Sequence, residues 1–457
     1  MLLDAGNLLF KRNSIKNGPN QEKLTADAIV QIYQDMGYDA VGVGPLDMAA
    51  GLDFIQQSKY KGFPWVSANI VDITGKPIFQ QLINKHMGTT EVFITAITPI
   101  STNTPEGIVV HPWKETLPDI LSRIKTKNGA AFIIVLSTLS DDENRAMGKL
   151  FPEISLIISA DMHKGNIYPQ LLNSSLVTQT AKQGKYQGLL EINFGTERKW
   201  GQDSKKKLVD LQNRLGSLNW QLKRLEKKVP LTENKEKHDA TITRLNNDKE
   251  VFNKKINLLQ DTVSRENRGG QLNDQYTSRF IGLGKQLPDD KATTDKLKVL
   301  TQAIRQLNLE RKAMVKKQRA NANTPDKASV GYNVCTACHS AQAFFWQNTQ
   351  HAAAYTTLSQ KKKHLDLECL PCHVTLDFRT TDLNRLSLED LLSYPDELLS
   401  VGCETCHGAG KKHSINPEKF KIVRMPEKRI CLTCHTPDHD DNFDYNRKLP
   451  QISCPAD

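Results

Sequence analysis

Cys335-Thr336-Ala337-Cys338-His339 returns as Cys369-Leu-Pro-Cys372-His373, Cys403-Glu-Thr-Cys406-His407 and Cys431-Leu-Thr-Cys434-His435. In each copy two thiols stand at the separation that suits thioether bonds to the two vinyl groups of one haem. The next residue is an imidazole able to reach the iron from the proximal side. Four copies imply four covalently held haems c. Zinc knuckles and disulfide frameworks also use paired cysteines, but neither requires a histidine directly after every second one.

Histidines supply the other axial positions. Of twelve, His339, His373, His407 and His435 belong to the motifs, and His86, His111, His163 and His238 lie outside the segment. His351, His364, His413 and His439 remain, one candidate distal iron ligand per haem. Iron held by two imidazoles suits low-potential electron transfer, because neither axial position is open to a substrate. His364 follows Lys361-Lys362-Lys363 and His439 sits in Asp438-His439-Asp440-Asp441, so both also read as solvated surface residues. Cys454, the one cysteine outside the motifs, reads as a soft iron ligand, an interchain thiol or a frayed terminal residue.

From Gly331 to Tyr445 the segment resembles the cytochrome c-554 type of tetrahaem family. The matching features are Tyr332, then Phe345-Trp346 with His351-Ala352-Ala353-Ala354, then Glu368-Cys369, and Gly402-Cys403-Glu404-Thr405-Cys406-His407-Gly408-Ala409-Gly410 followed by His413. The resemblance implies a mostly α-helical domain with haems close enough for rapid electron passage, and it puts His351 and His413 at ligand positions. The family's tail tends to carry a histidine near Cys454, which leaves the fourth distal position to His364, His439 or Cys454, or one haem five-coordinate.

The chain has 457 residues, enough for roughly three domains, with a formal net charge of +10. No basic stretch is interleaved with aromatics, so nucleic acid is not an expected partner; the lysine runs read as solvated helical faces. Haem attachment of this type is completed outside the cytoplasm, so the expected location is periplasmic or extracellular. Met1-Leu2-Leu3-Asp4-Ala5-Gly6 does not read as an export signal, and the leader is expected to have been lost through processing or a misplaced start. No run of eighteen or more apolar residues is present, so no transmembrane segment is expected.

Residues 1–198 read as a layered α/β domain. Apolar runs at Met1 to Leu3, Ala40 to Val43, Trp65 to Ile70, Val92 to Ile97, Ala131 to Leu136, Leu156 to Ile158, Leu176 to Thr178 and Leu189 to Phe194 are candidate strands. Thr25 to Met36 and Thr116 to Lys125 have helical spacing. The order Leu3-Asp4-Ala5-Gly6-Asn7, Val43-Gly44-Pro45-Leu46-Asp47, Ala68-Asn69, Leu136-Ser137-Thr138 and Ser159-Ala160-Asp161-Met162-His163 resembles the 5'-nucleotidase branch of the calcineurin-like metallophosphoesterases, whose first strand would precede Met1. That family uses two metal ions to generate a hydroxide nucleophile. Here Asn7 replaces its bridging Asp, Pro45 and Leu46 its Asn and His, Thr138 and Asp161 two further histidines, and His163 survives. The resemblance therefore implies a degenerate domain kept for its fold, with a residual single-metal site at Asn7, Asp161 and His163 left open.

Residues 199–319 read as a helical coiled-coil spacer. Leu208, Leu211, Leu215, Leu218, Leu222, Leu225 and Val229 form an a/d seam ended by Pro230, and Ile242, Leu245, Phe252, Ile256, Leu259 and Val263 continue it to Gly269-Gly270, with Lys249 in an apolar slot. A third helix through Leu297, Leu300, Ile304, Leu307 and Met314 leads to the haem segment, 320–457. An antiparallel hairpin is expected, and a homo-oligomer through its outer face stays open.

The fold class is thus multidomain α/β plus α. The leading expectation is an exported electron carrier with mostly two-histidine haems, more a carrier than an enzyme, whose partners are redox proteins such as other cytochromes. One alternative is an oxidoreductase acting on a small nitrogen or sulfur compound at an open haem. The other is a metal-dependent phosphoesterase with an attached cytochrome.

Overall fold

The computed structural model describes residues 1–15, 20–60, 62–124, 131–194, 200, 204–226, 235–266, 274–284, 286–320, 328–379, 388–436, 439–440 and 443–455. The chain divides into two compact units, Met1–Asn17 with Ala26–Asp289, and Gly18–Thr25 with Asp290–Asp457. Among the described residues no helix is long and apolar enough to cross a membrane.

Through residue 289 the order is β1 (Leu3–Asp4), α1 (Gln21–Met36), β2 (Ala40–Gly42), α2 (Leu52–Tyr60), β3 (Trp65–Val66), β4 (Ile70–Asp72), β5 (Ile83–Met87), β6 (Thr90–Ile97), β7 (Ile108–Val110) and α3 (Trp113–Ser122). Then follow β8 (Phe132–Ser137), α4 (Asp141–Leu150), β9 (Leu156–Ser159), β10 (Ile167–Leu172), β11 (Ser175–Gln179), β12 (Tyr186–Asn193), α5 (Ser204–Glu226), α6 (Lys235–Glu266) and β13 (Gln275–Gly282). One sheet is β1-β2-β3, all parallel; a second has the order β10-β11-β9-β8-β6-β5, parallel from β11 to β6 with an antiparallel strand at each edge.

Alternation along the strands sorts the core into layers. Ala40, Ile94, Ala96, Ile134, Leu136 and Leu156 join one cluster shared by both sheets. Val41 turns instead toward Ala26 and Val30 of α1 and Phe54 and Ile55 of α2. Ile97, Val135 and Ile157 turn toward Trp113, Leu117 and Ile120 of α3 and Met147 of α4. Helices, sheet, sheet and helices are therefore stacked in that order. Each fully buried aliphatic side chain in these layers stabilises by about 1.5–3 kcal/mol.

The central strands match the apolar runs of the sequence. The edges do not: β5 is Ile-Asn-Lys-His-Met with only Ile83 buried, and β10, Ile-Tyr-Pro-Gln-Leu-Leu, carries Pro169, which argues against a strand. Beyond β12, the span expected to be wholly helical contains β13, which pairs with β12 along its whole length from Tyr186↔Gly282 to Asn193↔Gln275. Helices α5 and α6 lie between these two strands in sequence and pack on each other through Leu218, Leu222 and Leu245, with Leu225, Ile242 and Phe252 beside them. Val229, Pro230, Gly269 and Gly270 fall outside the described residues, as do the side chains of Leu259 and Val263.

The second unit opens on α7 (Lys291–Ala320), whose seam is shorter than its spacing suggested. Ile304 and Asn308 are buried and Asn308 donates to the Leu365 carbonyl at 2.9 Å, whereas Leu297 and Met314 are exposed. Short helices follow: α8 (Tyr332–Thr336), α9 (Ser340–Gln347), α10 (Ala354–Gln360), α11 (Leu370–His373), α12 (Leu388–Leu391), α13 (Cys403–His407), α14 (Lys411–Ile415), α15 (Lys428–Cys434) and α16 (Tyr445–Lys448). Their common core is small and aliphatic, with Leu358, Leu365, Leu367, Leu370, Val374, Leu376, Leu391, Leu392 and Ile430 buried.

Candidate haem centre

Each Cys-x-x-Cys-His motif falls on or beside one of these short helices. Cys335 is in α8 with His339 at the start of α9; Cys372 and His373 end α11; Cys403 to His407 are α13; Cys431 and Cys434 are in α15 with His435 as its C-cap. A single helical turn is what the spacing requires, because residues three and four apart share a face, so both thiols and the imidazole point the same way. Backbone bonds close two of these turns: His339 N–H and His435 N–H donate to the Cys335 and Cys431 carbonyls, both at 2.9 Å.

The motifs are neighbours. As a free thiol Cys335 is held below its ordinary range by a hydrogen bond with Cys403, and Cys403 is raised by the same contact and by burial. Cys372 and Cys434 form a second pair, the former lowered and the latter raised by their mutual hydrogen bond. Burial pushes the Cys406 thiol up to about 11, with Cys431 and Cys454 adding to the rise. The two pairs put the first motif against the third and the second against the fourth, with the third and fourth within electrostatic reach of each other.

Four imidazoles are fixed through Nδ1. His373 donates to the Ala354 carbonyl at 2.7 Å, His407 to Val423 at 2.7 Å, His413 to Phe420 at 2.8 Å and His435 to the Asp440 carboxylate at 2.9 Å. Carbonyl and carboxylate oxygens only accept, so each bond selects the tautomer that leaves Nε2 free for a metal. His435 also stacks on Phe443, with ring centres 4.3 Å apart. Arg379 donates to the Cys406 carbonyl and pairs with Asp377 at 3.6 Å, bracing the third motif.

The candidate distal histidines separate into two groups. His413 lies 6.3 Å from His339 between ring centres, with planes 17° apart, and His351 lies 6.2 Å from His435, with planes 54° apart. Two imidazoles on opposite sides of one metal ion, each about 2 Å from it through nitrogen, have ring centres roughly 6.3 Å apart. Both pairs fit one iron between them. Burial, and then the nearby His435, lowers the His351 pKa toward the neutral form a metal needs. His364 instead meets Tyr355 edge-on at 6.3 Å, its Nδ1 buried without a hydrogen-bond partner, and burial followed by Arg305 and Lys312 lowers its pKa. His439 is exposed and its backbone N–H donates to Thr436 at 3.0 Å. Asp438 and Asp441 beside it lie outside the described residues. Cys454 is exposed and counts among the neighbours that raise Cys403 and Cys406. Residues that sequence reasoning passed over include Asp440 and the carbonyls of Ala354, Phe420 and Val423; backbone acceptors leave no trace in a sequence.

In the first unit, the phosphoesterase-like positions sit after the strands and are engaged in the fold. Asp47 is fully buried, and its carboxylate accepts the N–H groups of Asn7, Leu8, Leu9 and Gly44 at 2.7–2.9 Å. The Asn7 carboxamide oxygen accepts Leu46 N–H at 3.1 Å, and Asn69 bridges the Thr98 and His111 backbones. Thr138 is buried with its hydroxyl unpaired. Asp161 accepts Asp141 N–H and His163 N–H, both at 2.9 Å. Among the described residues no group of three or more His, Cys, Asp or Glu is placed to hold a metal ion, and this donor set does not fit the two-metal centre of the resemblance.

Residues 334–408 match the family model described as cytochrome c554 and c-prime. Cytochrome c-554 of Nitrosomonas europaea is 31% identical over 96 residues, which are 18% of this chain and 38% of that protein. Among solved structures, the sulfate thiohydrolase SoxB of Thermus thermophilus is 19% identical with a TM-score of 0.35, covering 42% of this chain and 35% of its own. A 5'-nucleotidase precursor from the same organism is 20% identical with a TM-score of 0.34, covering 42% and 41%. The chain thus spans well under half the length of each. The matched stretch, residues 334–408, holds the first three motif turns and is similar to the cytochrome c554 and c-prime family.

Proposed function

We propose that the chain is an exported electron-transfer protein carrying four covalent haems c, with the first unit as a scaffold or docking module devoid of hydrolytic activity. The observation that carries this reading is the spacing of His339 to His413 and His351 to His435, which suits closed, six-coordinate iron. Haem, once attached, supplies a one-electron couple at each iron. The chain's own part is to hold His373, His407, His413 and His435 each in one tautomer, to add the negative charge of Asp440 behind His435, and to bring the motifs into the order first, third, fourth, second. A hydrogen-bonded carboxylate raises the basicity of a ligating imidazole and so favours the ferric state. Helices α5 and α6 form an antiparallel coiled-coil hairpin that projects from the β12–β13 ribbon, and redox proteins are the partners.

His351→Ala and His413→Ala test the ligand reading. Each is expected to leave four haems in place and to create one new site per chain for carbon monoxide in the reduced protein; no gain in either variant contradicts it. A nucleotide phosphatase assay with added manganese or zinc is expected to show no turnover, and turnover with stoichiometric metal overturns the scaffold reading.

A second reading rests on His373 and His407, on which no other imidazole stacks among the described residues. An open iron at either motif would serve an oxidoreductase for a small nitrogen or sulfur compound. Carbon monoxide binding at one of these haems together with turnover of such a compound supports it; closed iron at both excludes it.

A further inference from the structure

We propose that Glu404 is a positioning residue that holds His413 opposite His339. The inference rests on the reading that these two imidazoles share an iron. Glu404 lies inside the third motif, yet its side chain serves the first. It is 2% exposed, and its carboxylate gathers N–H donors from two separate segments. Oε1 accepts Gly410 at 2.7 Å and Val330 at 3.0 Å, and Oε2 accepts Gly331 at 2.8 Å and Val330 at 3.1 Å.

The donors are significant for where they lead. Gly331 caps α8, which carries Cys335 and runs on to His339, and Gly410 caps α14, which carries His413. One buried carboxylate therefore ties together the beginnings of the two segments whose imidazoles lie 6.3 Å apart. A backbone bond from Lys411 N–H to the Ala328 carbonyl at 3.1 Å runs beside the clamp. The close fit at both ends constrains the chain. Gly331 has φ +82, with Glu397 2.7 Å from where a Cβ would stand, and a Cβ on Gly410 would lie 3.2 Å from Glu404 Oε1. Glu404 is the acceptor common to Val330, Gly331 and Gly410, and Gln in its place offers one accepting oxygen and turns an NH2 group toward donors it cannot satisfy.

The experiment uses the full-length, haem-loaded protein and counts carbon monoxide bound per chain after reduction, together with the high-spin ferric signal. Glu404→Gln is expected to keep four haems and to gain up to one binding site, at the first-motif haem. Gly410→Ala, whose φ of −94° is open to alanine, is expected to gain a smaller fraction and carries the test if Glu404→Gln fails to load. His413→Ala combined with Glu404→Gln should gain no more than His413→Ala alone, because both act on one ligand. If His413→Ala opens a site while Glu404→Gln and Gly410→Ala open none, the role of Glu404 is overturned and the shared iron stands. Additive gains in the double variant also overturn it. If His413→Ala itself opens nothing, the shared iron fails.

Discussion

Replacing Cys403 and Cys406 together by serine is expected to remove one haem and to slow electron exchange between the first motif and the other two by orders of magnitude. The third motif is linked to both neighbours: Cys403 pairs with Cys335 of the first, and Cys406 is within electrostatic reach of Cys431 of the fourth. The second motif adjoins the fourth by the Cys372 and Cys434 contact. Intact mass checks the loss of one haem, and rapid reduction followed at single-haem resolution checks the broken exchange. Unchanged exchange in a protein shown to carry three haems would mean that the order drawn from the thiols is wrong.

The second large effect lies in the first unit. Asp47→Ala is expected to destabilise that unit by about 3–5 kcal/mol, since it leaves the four backbone N–H groups of Asn7, Leu8, Leu9 and Gly44 without their shared acceptor, at about 1–3 kcal/mol each before relaxation. Asp47→Asn keeps the shape and one accepting oxygen, so it should fall between. Denaturant unfolding followed by hydrogen–deuterium exchange of peptides from the first unit measures both. A loss below about 1 kcal/mol in the alanine variant would show that Asp47 is not the organiser of these loops. The expected result also explains why an acidic residue persists beside Pro45 and Leu46, which have no metal-binding side chains: its oxygens hold the backbone.

How much of this was legible in the sequence depends on the kind of interaction. β6 and β8, buried on both faces, announced themselves as continuous apolar runs, and the motifs announced their turns by spacing. β5 and β10 did not, because edge strands need no apolar pattern and tolerate Lys85 or Pro169. β13 was hidden by its position after two long helices, where a period near 3.5 dominates the reading. The same periodicity overstated α7, whose Leu297 and Met314 are exposed while the polar Asn308 is buried. At the haem centre, counting histidines named His351 and His413, but not which motif each faces. That assignment depends on how α9, α14 and α15 pack. The carbonyls that orient His373, His407 and His413 are backbone atoms and carry no sequence signature. Asp440 stood in plain view, but in a run of three aspartates around His439 nothing marked it as the partner of His435.

The proposed electron carrier holds four covalent haems, of which at least the first and fourth are closed by two histidines. The most direct test is to count, on one sample of exported protein, haem per chain by the pyridine haemochrome and carbon monoxide bound after full reduction. Four haems and at most two carbon monoxide molecules per chain are expected, given four motifs and two paired imidazole sets. Fewer than four haems, or carbon monoxide on three or four of them, would contradict it.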